Sequence, residues 1–175
     1  MPMFRLYGTI RLVSMVLLVA GVLTSTAHAD SLPPPSGPVI LTVGGAITTT
    51  NGNGIAQIDR AMLDALPQHS LSTHNPFETG LHRFDGPLLR DFLKTVGANG
   101  TTLFAEALDG YTIEIPVSDV TTYDVLMATS WNGKVMTVRN KGPVWIVYPV
   151  DQHDELKDEI YSGRSIWQLN RITVE

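Results

Sequence analysis

The chain has 175 residues, 12 Lys and Arg against 17 Asp and Glu, and no cysteine. The acidic balance and the lack of any basic run exclude phosphate-backbone binding, so neither nucleic acid nor an anionic membrane surface is an expected partner. Without cysteine there is no disulfide, thiolate metal site, iron–sulfur cluster or cysteine nucleophile, and the fold must rest on its apolar core.

The N-terminal stretch reads as a secretory leader. Arg5 and Arg11 precede any acid, Leu12–Leu23 is an apolar run, and Ala27-His28-Ala29 has the small residues that signal peptidase accepts. The run is shorter than the roughly twenty residues that span a bilayer. The expectation is cleavage after Ala29, a periplasmic mature chain from Asp30 and no membrane insertion afterwards. Residues 30–38 hold the Pro-rich SLPPPSGP and read as an extended spacer. One domain is expected over 39–175.

Val39–Val43 is a β-branched strand signal, and Thr48–Gly54 is a loop with two Asn-Gly pairs. Asp59 is placed to cap a helix over Arg60–Leu66, stopped by Pro67. His69–Asn75 reads as a strand entering the polar loop NPFETG. Asp85 and Pro87 then suit the opening of a second helix, with Leu88, Leu89, Phe92, Leu93 and Val96 on one face and Gly97 as its stop. Thr101–Leu108 and Tyr111–Val117 flank Asp109-Gly110, a hairpin signal. Ser118 is a candidate cap for a single turn. Val125–Ser130 and Val135–Arg139 flank a second hairpin signal, Trp131-Asn132-Gly133-Lys134. Val144–Tyr148 is an apolar strand, Asp151–Tyr161 is acidic and helical or looped, and Ser165–Val174 is a closing strand. Many short strands, two short helices and no βαβ rhythm predict an α+β single domain with mainly antiparallel or mixed sheet.

Motifs for chemistry are sparse. His69, His74 and His82 lie near Asp85, but their spacing matches no metal motif, and polar surface is the simpler reading. Asp151, Asp154, Glu155, Asp158 and Glu159 lack the spacing of a calcium loop and read as a solvated face. There is no Gly-x-Ser-x-Gly elbow, Walker loop or dinucleotide fingerprint. Trp145 lies in an apolar strand and reads as core. Trp131 sits at a hairpin tip. Trp167 follows Arg164 and Ser165, so a cation, a hydroxyl and a ring fall within a short stretch. Such a trio suits a planar heteroaromatic ligand, although a Trp in a closing strand equally suits a core position.

Four segments in register carry a resemblance. Phe84-Asp85-Gly86-Pro87-Leu88-Leu89 with Asp91-Phe92-Leu93, Ala107-Leu108-Asp109-Gly110-Tyr111 with Ile115-Pro116, Lys141-Gly142-Pro143 running into Val147-Tyr148-Pro149, and Gly163-Arg164-Ser165-Ile166-Trp167 resemble motifs of the sulfite-oxidase-type molybdopterin-binding domain. The resemblance spans Val39 to Val174 and implies that family's fold. Catalytic members ligate molybdenum through the cofactor dithiolene and a protein cysteine. Here the corresponding stretch is Leu71-Ser72-Thr73-His74-Asn75, with Thr73 or a neighbour in the place of the thiol. Trp145 stands where an Arg is usual, and Trp167 where a Lys is usual.

These departures resemble small exported relatives that bind a free pterin without metal. Some of those relatives report ligand to a membrane-bound signalling partner, including enzymes of cyclic-di-GMP signalling. The resemblance therefore implies a non-catalytic pterin sensor, with Thr73, His74, Asn75, Trp131, Arg164, Ser165 and Trp167 as candidate ligand-binding residues. The alternative is a molybdopterin-dependent oxidoreductase or a cofactor-bearing piece of one.

Overall fold

The computed structural model describes residues 31–175, so the expected leader lies outside the described residues. Strand β1 (Val39–Gly45) buries Leu41 and Val43 on alternate positions, as a β-branched run on a sheet face should. After the Asn-Gly loop comes β2 (Ala56–Asp59), antiparallel to β1 with Thr42 opposite Gln57. This strand was not expected, because four residues are too few to show a period.

Asp59 ends β2 and caps α1 (Arg60–Asp64), its Oδ1 accepting the Met62 N–H at 2.9 Å. The helix is shorter than the expected Arg60–Leu66. Strands β3 (Gln68–Asn75) and β4 (Glu78–Pro87) then form a hairpin with Leu71 opposite Phe84 and Thr73 opposite His82. Here the expectation fails. The segment through Asp85 and Pro87 is strand, and Asp85 caps nothing. Its carboxylate instead accepts from Ser70 Oγ, and from Arg83 Nε at 2.9 Å. Helix α2 (Leu89–Thr95) begins beyond them at Leu88, with no side-chain cap. Pairing with β3 outweighs the local helix-start signal.

Gly86, within the Phe-x-Gly motif, has a structural reason. A Cβ there would stand 2.1 Å from the Met127 carbonyl oxygen, so only glycine lets β4 pass this close to the neighbouring strand.

Strands β5 (Thr102–Ala107) and β6 (Thr112–Pro116) make the expected hairpin, with Gly110 at φ 88°. Helix α3 (Val117–Thr122) follows from Pro116, and Ser118 lies inside it and is not its cap. The second hairpin is smaller than expected. β8 (Ser130–Trp131) and β9 (Lys134–Val135) turn on Asn132 and Gly133, both at positive φ. The preceding β7 (Leu126–Ala128) pairs elsewhere, with β10 (Trp145–Val147). Val138–Asn140 and Asp154–Lys157 are single 3-10 turns. Helix α4 (Glu159–Arg164) and β11 (Leu169–Val174) close the chain. The closing strand thus starts four residues later than expected. The irregular stretch before it contains Ser165 and Trp167.

The strands form a five-stranded sheet, β2-β1-β11-β5-β6, a four-stranded sheet, β3-β4-β8-β9, and the β7–β10 pair. Among the described residues all strand pairings are antiparallel except β1 with β11. The fold is therefore α+β with mixed sheet. The larger core joins the five-stranded sheet to α1, α2 and α3, and a smaller one centres on Phe84, Trp145 and Leu126. The Pro-rich segment does not stand away from the domain. Leu32 donates its N–H to Thr50 O at 3.1 Å and packs on the larger core, and Ser36 and Gly37 bond to Asp59.

Candidate functional site

Trp145 is 0% exposed and organises the smaller core. Its indole N–H donates to Ser165 O at 3.1 Å. Phe84 lies 5.3 Å away and Trp131 5.9 Å, both edge-on, while Trp167 and Phe77 each lie 6.3 Å away. A ring so enclosed has no surface for an anion. Trp131 stacks on Phe84 at 6.5 Å and 9°, opposite it across β4 and β8. Its Nε1 is buried without a hydrogen-bond partner among the described residues. The structure thus places Trp131 against the smaller core.

Trp167 occupies the other side of Trp145. Phe77 meets it edge-on at 4.5 Å, and the Lys141 ammonium sits 4.7 Å from its ring centroid. Lys141 is held there by Glu78 at 3.1 Å. Trp167, Phe77, Tyr111, Ser165, Asp109 and Glu159 line a cavity of about 420 Å³, together with the backbone turn at Gly163. That volume falls within the range of small-molecule sites, roughly 300–1,000 Å³. Of the expected ligand residues, Ser165 and Trp167 are the two that line it.

Arg164 does not reach this cavity. Its guanidinium donates to Asp119 Oδ2 at 2.9 Å, and the same oxygen accepts the Tyr148 hydroxyl at 3.0 Å. The pair is largely buried, with the Arg164 side chain 14% exposed. Burial, and then the Asp119 charge, hold the Tyr148 hydroxyl well above its ordinary pKa. The expected ligand-reading cation is therefore an internal anchor, tying the end of α4 to α3 and to the segment after β10. Ser165 is also fixed, its Oγ donating to Tyr161 O at 2.9 Å.

None of Thr73, His74 and Asn75 lines the cavity. Thr73 is 0% exposed, and its Oγ1 accepts the Asp151 N–H at 3.4 Å. Asp151 Oδ2 accepts the His74 N–H at 2.8 Å and lies 2.9 Å from His74 Nδ1. The His74 backbone N–H, more than the opposing burial, holds the Asp151 carboxyl below the usual range. Asn75 Oδ1 accepts the Phe77 N–H at 2.9 Å, while its Nδ2 is buried without a partner among the described residues. Asn75 thus fixes the backbone of Phe77, which does line the cavity. His82 is engaged with Asn132 and Thr79, and among the described residues no group of three or more His, Cys, Asp or Glu is placed to hold a metal ion.

Phe77, Tyr111, Asp109 and Glu159 also line the cavity but are not among the ligand-binding residues expected from the sequence. A large ring inside the polar loop NPFETG was the available signal for Phe77. The Asp109-Gly110 turn signal concealed that Asp109 and Tyr111 also face a cavity.

The family described as oxidoreductase molybdopterin binding domain matches residues 52–174. No curated protein matches the chain. Among solved structures, the sulfane dehydrogenase SoxCD from Paracoccus pantotrophus matches with a TM-score of 0.58 and 15% identity. The match covers 77% of this chain and 37% of that one, so the chain spans little more than a third of that structure. At this identity the likeness is one of fold. With the family matched over most of its length, the chain belongs to the oxidoreductase molybdopterin-binding domain family.

Proposed function

We propose that this chain binds a free pterin, without molybdenum, in the cavity beside Trp167. The makeup of that cavity carries the reading. Trp167 and Phe77 supply rings, Asp109 and Glu159 supply acceptors, and no Lys or Arg lines it among the described residues. A flat heterocycle can stack on such a wall, while a phosphate finds no counter-charge.

The metal-bearing form of the family's cofactor fits these residues less well. Molybdenum in this family takes a thiolate, and the chain has none. Thr73, near the thiol's place, offers a neutral hydroxyl that is buried and already accepts a backbone N–H. The cofactor's phosphate needs cations, yet Arg164 is paired with Asp119 and Lys141 with Glu78.

In this reading the mature chain is periplasmic, has no turnover of its own and reports ligand to a membrane-bound signalling protein, for which enzymes of cyclic-di-GMP signalling are one class. That step rests on the leader-like N-terminus and on the resemblance to exported stand-alone relatives. The second reading, a cofactor-bearing oxidoreductase domain, is favoured by family membership itself.

Two measurements on the purified mature chain separate them. Metal analysis is expected to find no stoichiometric molybdenum, and fluorescence titration is expected to find saturable pterin binding. Trp167→Ala should weaken that binding ten- to a hundredfold, since aromatic stacking contributes ~1–3 kcal/mol. Stoichiometric molybdenum with substrate-dependent electron transfer would establish the second reading. A folded Trp167→Ala protein with full pterin affinity would remove Trp167 from the site.

A further inference from the structure

We infer that Asp109 and Glu159 select the ligand by the N–H donor edge of its pyrimidine ring, so that the cavity requires a 2-amino group and rejects phosphate. The inference rests on the pterin reading above and adds what that reading leaves open, the chemistry that chooses among pterins.

The polar groups of the cavity are unequal in kind. Asp109 comes from the β5–β6 turn, where Oδ1 accepts the Tyr111 N–H at 3.0 Å. Glu159 opens α4. Neither acid is paired with Lys, Arg or His among the described residues.

The neighbouring hydroxyls have largely used their protons. Ser165 Oγ donates to Tyr161 O, and the Tyr111 hydroxyl donates to Gly163 O at 3.4 Å. What these oxygens still offer is acceptor capacity. Ser162 adds one more hydroxyl, and no cation lines the space among the described residues. A cavity dominated by lone pairs, two of its groups anionic, is complementary to a ligand edge rich in N–H.

The pyrimidine half of a pterin has such an edge. Its N3–H and 2-amino group point the same way, and a carboxylate can accept both, with the strength of a charge-assisted bond. Aromatic walls hold the ring by its faces, which leaves the edge to decide between similar rings. A phosphate tail is anionic and accepts only. No Lys or Arg lines the cavity among the described residues, and Lys141 beside Trp167 is paired with Glu78, so a phosphate next to two carboxylates is repelled.

The test compares pterin with lumazine, which carries oxygen in place of the 2-amino group, by calorimetry on the mature chain and on an Asp109→Asn, Glu159→Gln double variant. Both side chains are exposed, and Asp109→Asn keeps the Oδ1 that holds the turn, so melting should be unchanged. The unmodified chain should prefer pterin by about tenfold or more, from the loss of a hydrogen bond to a charged group. The double variant should bind pterin at least about tenfold more weakly and lose most of that preference.

A folded double variant with undiminished affinity and preference overturns the role of the acids and leaves pterin binding standing. Guanidinium ion competing as well as pterin also overturns it, because the cavity would then be reading charge alone. If the unmodified chain binds neither ring, the pterin reading itself fails and the inference with it.

Discussion

Asp59 is almost fully buried and accepts four hydrogen bonds, from the N–H groups of Met62, Ser36 and Gly37 and from the Ser36 hydroxyl. The Met62 N–H contributes most, and together these donors outweigh burial and bring the carboxyl down to about 2. An unfolded Asp titrates near 4. Because the folded value is the lower one, the stabilisation is fully present above about pH 4 and is lost as pH falls towards 2. Thermal melting should therefore show Asp59→Asn less stable than the unmodified chain at pH 7, with the gap closing between pH 4 and 2. A gap that stays constant across that window would mean the charge of Asp59 is irrelevant. The cap on α1 was legible from Asp59 preceding an apolar helix face. The grip on Ser36 and Gly37 was not, because those partners lie 22 and 23 residues away.

The stretch from α4 to β11 shows how one element can be read correctly in part. Ser165 and Trp167 were visible as polar and aromatic groups close in sequence, and both line the cavity. Arg164 looked like part of the same set, yet its partner Asp119 lies 45 residues away on α3. This ion pair holds the turn that presents Ser165 and Trp167. Asp119→Ala would leave the Arg164 guanidinium largely buried and unpaired, a loss of ~3–5 kcal/mol for such a pair. Replacing both, as Asp119→Leu with Arg164→Leu, removes the orphaned charge. Denaturant unfolding should find the double variant more stable than Asp119→Ala alone. Equal destabilisation of the two would show that the pair acts through packing alone. Strand β4 is illegible for a related reason: Glu78–Pro87 holds only two large apolar residues, Leu81 and Phe84, with no alternation to read, and pairing with β3 on one side and β8 on the other makes it a strand.

At the scale of the whole molecule, the segment before β1 belongs to the domain. Leu32, Pro33, Pro34 and Ser36 lie over Ile58, Met62, Leu66 and Phe92, and Asn51 Nδ2 donates to Pro33 O at 2.9 Å. Beginning the chain at Val39 would uncover this apolar face and remove three of the donors to Asp59. A chain so shortened should lose ~1–3 kcal/mol, on the scale of one buried apolar side chain, with a lower denaturation midpoint. An unchanged midpoint would return the segment to the role of a spacer. The sequence by itself determined the α+β class, the Asp109-Gly110 and Asn132-Gly133 turns, the apolar face of α2 and, through four motifs in register, the family. Those features depend on local conformation or on residue order, which a single chain displays directly. Only the tertiary structure decided that Arg164 faces Asp119, that Trp131 packs on Phe84, and that Phe77, Asp109, Tyr111 and Glu159 share a cavity with Trp167. Each of those outcomes is a pairing between residues far apart in the chain, settled by which partner best satisfies a buried charge, ring or hydrogen bond.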